Sequence, residues 1–145
     1  MPNLPSLPVD ARVPDIVAQV RTRGALVLTA EPGAGKTTRV SPALMDADDD
    51  GEVWVVEPRR LAARMAAARV ADERGTKLGD EVGYTVRFDD RTSKRTRLRF
   101  VTEGIFVRRL TTDPTLAGVD VVVFDEFHER NLDGDLGLGW VEALR

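Results

Sequence analysis

Cysteine is absent from this 145-residue chain, which excludes a disulfide framework and any thiolate metal site. Histidine occurs once, as His128. The opening stretch "MPNLPSLPVD" has neither a basic stretch nor an apolar centre, so it does not read as a signal peptide. No apolar run approaches the about 18 residues of a membrane span, and the expected setting is the cytoplasm. An excess of positive charge is also missing. The net charge of −3 argues against a wholesale basic nucleic-acid binder.

What is present fits one soluble domain with a real core. Hydrophobic residues make up 42% and charged residues 31%, and a chain of this length buries roughly two thirds of its unfolded surface. Charge is unevenly spread. Asp46, Asp48, Asp49, Asp50 and Glu52 form an acidic loop, whereas the segment from Arg87 to Arg109 carries eight basic residues against three acidic ones. That segment reads either as a solvated, arginine-rich strand face or as a surface for phosphates.

Residues 1–9 contain Pro2, Pro5 and Pro8 and read as an extended arm, so the domain proper is expected over 10–145. A helix is expected over 14–23, with Pro14 near its start and Gly24 just past its end. "ALVLT" (25–29) reads as a short strand. Lys36 opens a helix that Pro42 should kink or shorten. Strands follow at 53–57, 82–87 and 97–102, the last two separated by a polar loop. An alanine-rich helix ending at Gly75 follows the first of them. A helix over 103–110, a strand over 119–124 and a glycine-weakened helix over 135–145 complete the pass. Continuous apolar strands alternating with helices predict an α/β fold, a parallel sheet covered on both faces. The chain ends on a helix with no following strand, so the natural protein is expected to continue.

Two motifs carry chemistry. "AEPGAGKTT" (30–38) lies between an expected strand and an expected helix, the context of a P-loop. Gly33, Ala34 and Gly35 let the backbone curl so that several N–H groups meet one anion, aided by the helix N-terminus. Lys36 would reach the β- and γ-phosphates of a nucleotide, Thr37 would offer its hydroxyl to Mg²⁺, and Thr38 continues the turn. The strict pattern wants glycine at position 30, where this chain has Ala30. The second motif is "VDVVVFDEFHER" (119–130), in which an apolar strand ends on two adjacent carboxylates. Like charges there repel and cost desolvation unless a cation or a reacting group is present. Beside a P-loop, Asp125 would hold Mg²⁺, and Glu126 would take a proton from the water attacking the γ-phosphorus.

Asp125-Glu126-Phe127-His128 resembles the DEAH box of superfamily-2 helicases, with Phe in place of Ala. Ala30-x-x-Gly33-x-Gly35-Lys36-Thr37 is similar to that superfamily's P-loop, which begins with Ala. "EPRRLAAR" (57–64) resembles motif Ia, "TEG" (102–104) motif Ib, and "VGYTVRFDD" (82–90) the strand and turn of DEAH proteins. The combination looks most like the bacterial HrpB-type helicases. The resemblance implies a three-layer RecA-like P-loop domain with a mostly parallel sheet, ATP and Mg²⁺ as cofactors, and single-stranded RNA, or DNA, as partner. It implies that Arg59, Arg60 and Thr102 contact the nucleic-acid backbone and that Arg87, with Phe88, sits in a turn touching the strand. Arg69 is implied to stack on the nucleotide base, and His128 to couple the site to a second RecA-like domain in cis. It also implies that motif III, the arginine finger and one central strand lie beyond residue 145.

Two other classes stay open on the residues alone. One is a different P-loop enzyme, such as a kinase or a GTPase, although no NKxD-type base-reading motif is present. The other is a binding module that holds nucleotide or nucleic acid without hydrolysis.

Overall fold

The computed structural model describes residues 4–31, 33–48, 50–127 and 132–144. A 3₁₀ turn at Asp10–Arg12 leads into α1 (Val13–Arg23). Pro14 lies in the first turn of α1, and Gly24 closes it at φ 79°, donating its N–H to the Val20 carbonyl. A π-helical turn, Lys36–Val40, runs into α2 (Ser41–Asp46). Pro42 sits in the first turn of α2, where its missing N–H costs nothing, so it divides the segment rather than breaking it. There follow β1 (Glu52–Glu57), α3 (Arg60–Glu73), β2 (Val82–Val86), β3 (Asp89–Arg91), β4 (Leu98–Thr102), α4 (Glu103–Thr112), β5 (Val119–Phe124) and α5 (Leu132–Leu144).

The strands form one sheet in the order β3-β2-β4-β1-β5. β2, β4, β1 and β5 run parallel, and β3 turns back antiparallel on β2. The core lies on both faces, as continuous apolar strands require. Val53 and Val55 face α1, α2 and α3, joining Leu44, Met45, Ala67, Val70 and Phe100. Trp54 and Val56 face the other way and join Val101, Phe106 and Leu110. Alternate residues of one strand therefore feed two separate cores, which makes three layers.

Three expectations need correction. Residues 25–29 form no strand: the segment is unpaired among the described residues, and Val27 is 90% exposed. Extended backbone becomes a strand only when a neighbour takes its N–H and C=O groups, and no described strand does so. The polar loop after β2 is not all loop, because Asp89–Arg91 pairs back with Tyr84, Thr85 and Val86. Its two-residue turn places Phe88 at φ 65°, the left-handed conformation that tight hairpins favour. α5 begins at Leu132, three residues before the expected start. β5, though apolar, is only half-buried, and among the described residues it pairs with β1 alone.

No helix of the described residues is long and apolar enough to cross a membrane.

Candidate nucleotide and nucleic-acid site

The loop before the π-turn carries two residues with reversed φ, Gly33 at 83° and Gly35 at 92°. A Cβ at position 35 would also come within 2.6 Å of Leu7 Cδ1 and 3.1 Å of its Cβ, so a larger residue there would push the Leu7 side chain aside. Ala34 between them is buried, and its carbonyl accepts the N–H of Val9 at 3.0 Å. Lys36, Thr37 and Thr38 follow as the first half-buried residues of the π-turn.

Thr37 meets the other motif directly. Its Oγ1 donates to Asp125 Oδ2 at 2.7 Å, a contact that spans 88 positions of sequence. Asp125 lies just past β5, where its N–H donates to the Val56 carbonyl at 3.0 Å and continues the ladder with β1. Its second carboxylate oxygen, Oδ1, accepts the Glu126 N–H at 3.0 Å. Glu126 sits at φ 53°, a conformation that costs a non-glycine residue roughly 1–2 kcal/mol. This kink breaks the alternation that would send neighbouring strand side chains to opposite faces. Strain of this sort collects where local geometry serves a site.

Sites of this architecture form at the carboxyl ends of parallel strands, and the remaining candidates gather there. Glu57 at the end of β1 lies opposite Thr102 at the end of β4. Thr102 starts α4, and an open pocket beside it is lined by Pro58, Glu103, Gly104, Leu132 and Asp133. Arg59 and Arg60 lead into α3. Arg60 Nη2 donates to the Arg87 carbonyl at 3.0 Å, which joins the start of α3 to the β2–β3 turn. The Arg87 guanidinium lies 4.9 Å from the centre of the Phe88 ring, which is 91% exposed. Arg59, Arg60, Arg87 and Thr102 thus share one end of the sheet with Asp125.

Arg69 stands apart from that group. It is about 14 Å along α3 from Arg60, at 1.5 Å per residue, and its Nε donates to Glu73 Oε1 at 3.2 Å. His128 lies outside the described residues. Several arginines of the basic segment have partners within the fold. Arg95 pairs with Asp80, Arg97 donates to the carbonyls of Asp48 and Gly51, Arg99 pairs with Glu52, and Arg109 pairs with Asp113. Half of its eight cations are committed within the fold.

No protein-family model matches the chain. It is 41% identical over 143 residues to the probable ATP-dependent RNA helicase DHR2 of Saccharomyces cerevisiae, a match that takes in 96% of this chain and 20% of that protein. To the ATP-dependent RNA helicase DHX33 of Homo sapiens it is 42% identical over 142 residues, or 97% of this chain and 20% of that one. The crystal structure of the Escherichia coli DEAH/RHA helicase HrpB matches with a TM-score of 0.90 at 41% identity, over 96% of this chain and 18% of that one. This chain is homologous to the DEAH-type RNA helicases. It spans about a fifth of the length of the curated relatives it matches.

The sheet is accordingly that of a helicase RecA-like domain. Phe127, where the DEAH motif has alanine, stacks edge-on against Phe124 with ring centres 5.9 Å apart. Phe124 packs on Phe106 at 5.7 Å, and Phe106 on Trp54 at 6.3 Å. The extra ring therefore extends the aromatic cluster of the second core. Sequence reasoning missed Leu7, Val9, Asp10, Arg39 and Glu73, all of which press on the phosphate loop or on Arg69. The Arg69–Glu73 pair at i,i+4 was legible as a helix pair, but the contacts of Val9 with Ala34 and of Arg39 with Asp10 and Glu73 join distant segments that no local pattern marks.

Proposed function

We propose that this chain is the first RecA-like domain of a DEAH-type ATP-dependent RNA helicase, binding Mg²⁺-ATP at the P-loop and one face of a single strand at the strand ends. The full protein would add a second RecA-like domain in cis and couple hydrolysis to movement along RNA, or along DNA. Its expected setting is the cytoplasm, where ATP and RNA are both present. The contact that carries the reading is Thr37 Oγ1 to Asp125 Oδ2 at 2.7 Å, which joins the phosphate-binding motif to the acidic motif.

The donors fit the cofactor. Mg²⁺ is held by hard oxygens, keeps several waters, and uses one or two carboxylates together with substrate phosphates. A hydroxyl and a carboxylate already within hydrogen-bond reach supply the protein's share. When bound, Mg²⁺-ATP provides the phosphoanhydride and a cation that spreads charge over the β- and γ-oxygens. The protein's residues do the rest. The curled loop offers N–H groups at a helix N-terminus, and Lys36 brings a point charge to the phosphates. Thr37 and Asp125 orient the metal's protein side. Glu126 accepts a proton from the attacking water. Arg69 would meet the base, and Arg59, Arg60, Arg87 and Thr102 would hold the strand's phosphates without reading sequence. His128 links the site to the second domain.

The test is nucleotide affinity and hydrolysis across a Mg²⁺ titration, in a protein that carries both domains. Glu126→Gln should bind Mg²⁺-ATP like the parent and lose turnover by ~10²-fold or more, the scale of general-base loss. Asp125→Asn should also weaken Mg²⁺-dependent binding, and Lys36→Ala should abolish binding. Parent-like turnover in Glu126→Gln would return the two carboxylates to a solvated strand end.

A further inference from the structure

One charged network next to the phosphate loop has no part in the chemistry above. Arg39 lies one turn beyond Lys36, and its side chain is only 14% exposed. Its Nη1 donates to both oxygens of Asp10, at 3.0 and 2.9 Å, and its Nη2 donates to the Pro5 carbonyl at 2.8 Å. Asp10 in turn accepts the Leu7 N–H at 2.7 Å. Leu7 packs on Gly35, and Val9 donates to Ala34, so the arm braces the loop itself. On its other side Arg39 faces α3, with Nε 3.8 Å from Glu73 Oε2. That Nε is buried and has no hydrogen-bond partner among the described residues. Glu73, also 14% exposed, then gives its other oxygen to Arg69, which is 62% exposed.

The position of Glu73 is electrostatically awkward. It is the last residue of α3, where the helix dipole disfavours a carboxylate. An Arg-to-Glu pair at i,i+4 also has the less favourable polarity. Two guanidiniums, one on each oxygen, offset that cost. The result ties three segments, residues 5–10, Arg39 and Arg69–Glu73, through one chain of charges.

We infer that Glu73 is a positioning residue for nucleotide recognition: it aims Arg69 at the base and, through Arg39, sets that arginine at a fixed offset from the phosphate loop. This rests on the reading in which Arg69 meets the base and Lys36 and Thr37 meet the phosphates. The loop and the base-facing arginine belong to different segments, so their spacing must be held by something other than chain connectivity. Glu73 and Arg39 supply that link.

The experiment compares binding of ATP and of inorganic tripolyphosphate, each with Mg²⁺, to this chain. Tripolyphosphate reports the phosphate loop alone, and the ratio of the two affinities reports the base. Glu73→Gln should weaken ATP by about three- to tenfold, the scale of one exposed ion pair plus one cation–π contact, and leave tripolyphosphate unchanged. Arg69→Ala should do the same, and the double variant should be no weaker than either single one. If Glu73→Gln loses helical circular dichroism, Glu73→Asp, which keeps the charge but shortens its reach, should show the same split. Equal losses on both ligands, additive losses in the double variant, or no loss at all would overturn the inference. A parent that binds ATP no better than tripolyphosphate would overturn instead the base-facing role of Arg69 on which it rests.

Discussion

Two glycines of α5, Gly137 and Gly139, should respond oppositely to the same substitution. Each lowers helix stability by up to about 1 kcal/mol relative to alanine. Among the described residues a Cβ at Gly139 would meet nothing within 4 Å, so Gly139→Ala should recover most of that amount. A Cβ at Gly137 would lie 3.0 and 3.1 Å from Phe106 ring carbons and 3.5 Å from Phe124. Phe106 is 1% exposed and is held between Trp54 and Phe124, so its ring has nowhere to move. Overpacking of this kind costs about 1–3 kcal/mol, which cancels or outweighs the helix gain. The two variants should therefore differ by about 1–3 kcal/mol, with Gly137→Ala the less stable. Urea unfolding followed by far-UV circular dichroism measures the difference as a shift in midpoint at constant slope. If Gly137→Ala stabilises as much as Gly139→Ala, α5 does not rest on the Phe106–Phe124 pair.

Three further outcomes are expected. Arg59→Ala with Arg60→Ala should weaken single-stranded RNA binding regardless of sequence and lower its salt slope by up to about two, one for each phosphate left without its arginine; an unchanged slope would take these arginines off the strand. A hydrogen bond with Asp48, then burial and the Asp48 and Asp50 charges, hold the Asp120 carboxyl above its ordinary value, with Arg97 opposing. A carboxyl raised in the folded state contributes stability below the ordinary aspartate range and loses it as pH climbs through the folded value, so Asp120→Asn should melt higher at neutral pH and flatten that decline, and thermal melts across the acid range that show the same decline in both proteins would refute it. Val27 stands 90% exposed in an unpaired, extended apolar run, an invitation to edge pairing, so Val27→Asp should reduce self-association in sedimentation velocity without lowering the melting temperature; unchanged association would clear this segment.

The arm illustrates what could not be read in advance. Three prolines in nine residues announce a segment that is neither helix nor strand, and Leu4–Leu7 is neither. Nothing local says that Val9 is 5% exposed in the core or that Asp10 will clasp Arg39. The basic segment could not be resolved from sequence for the same reason. A count of charges along the chain ignores which carbonyls and carboxylates the fold brings near, and Arg97 and Arg99 are consumed by Gly51 and Glu52.

Local chemistry determined the rest. The apolar run at 53–56 had to lie in a sheet covered on both faces, and an alanine-rich stretch had to be a helix. A glycine-rich turn before Lys36-Thr37 had to curl sharply, as the reversed φ of Gly33 and Gly35 shows. These outcomes depend on neighbours a few positions away, through propensity, sterics and periodicity. Tertiary structure alone decided that residues 25–29 go without a ladder partner and that Asp89–Arg91 turns back as a strand. It alone brought Thr37 to within 2.7 Å of Asp125. Each of these depends on which segments meet in space, and that is set by the burial of both sheet faces together rather than by any one stretch of sequence.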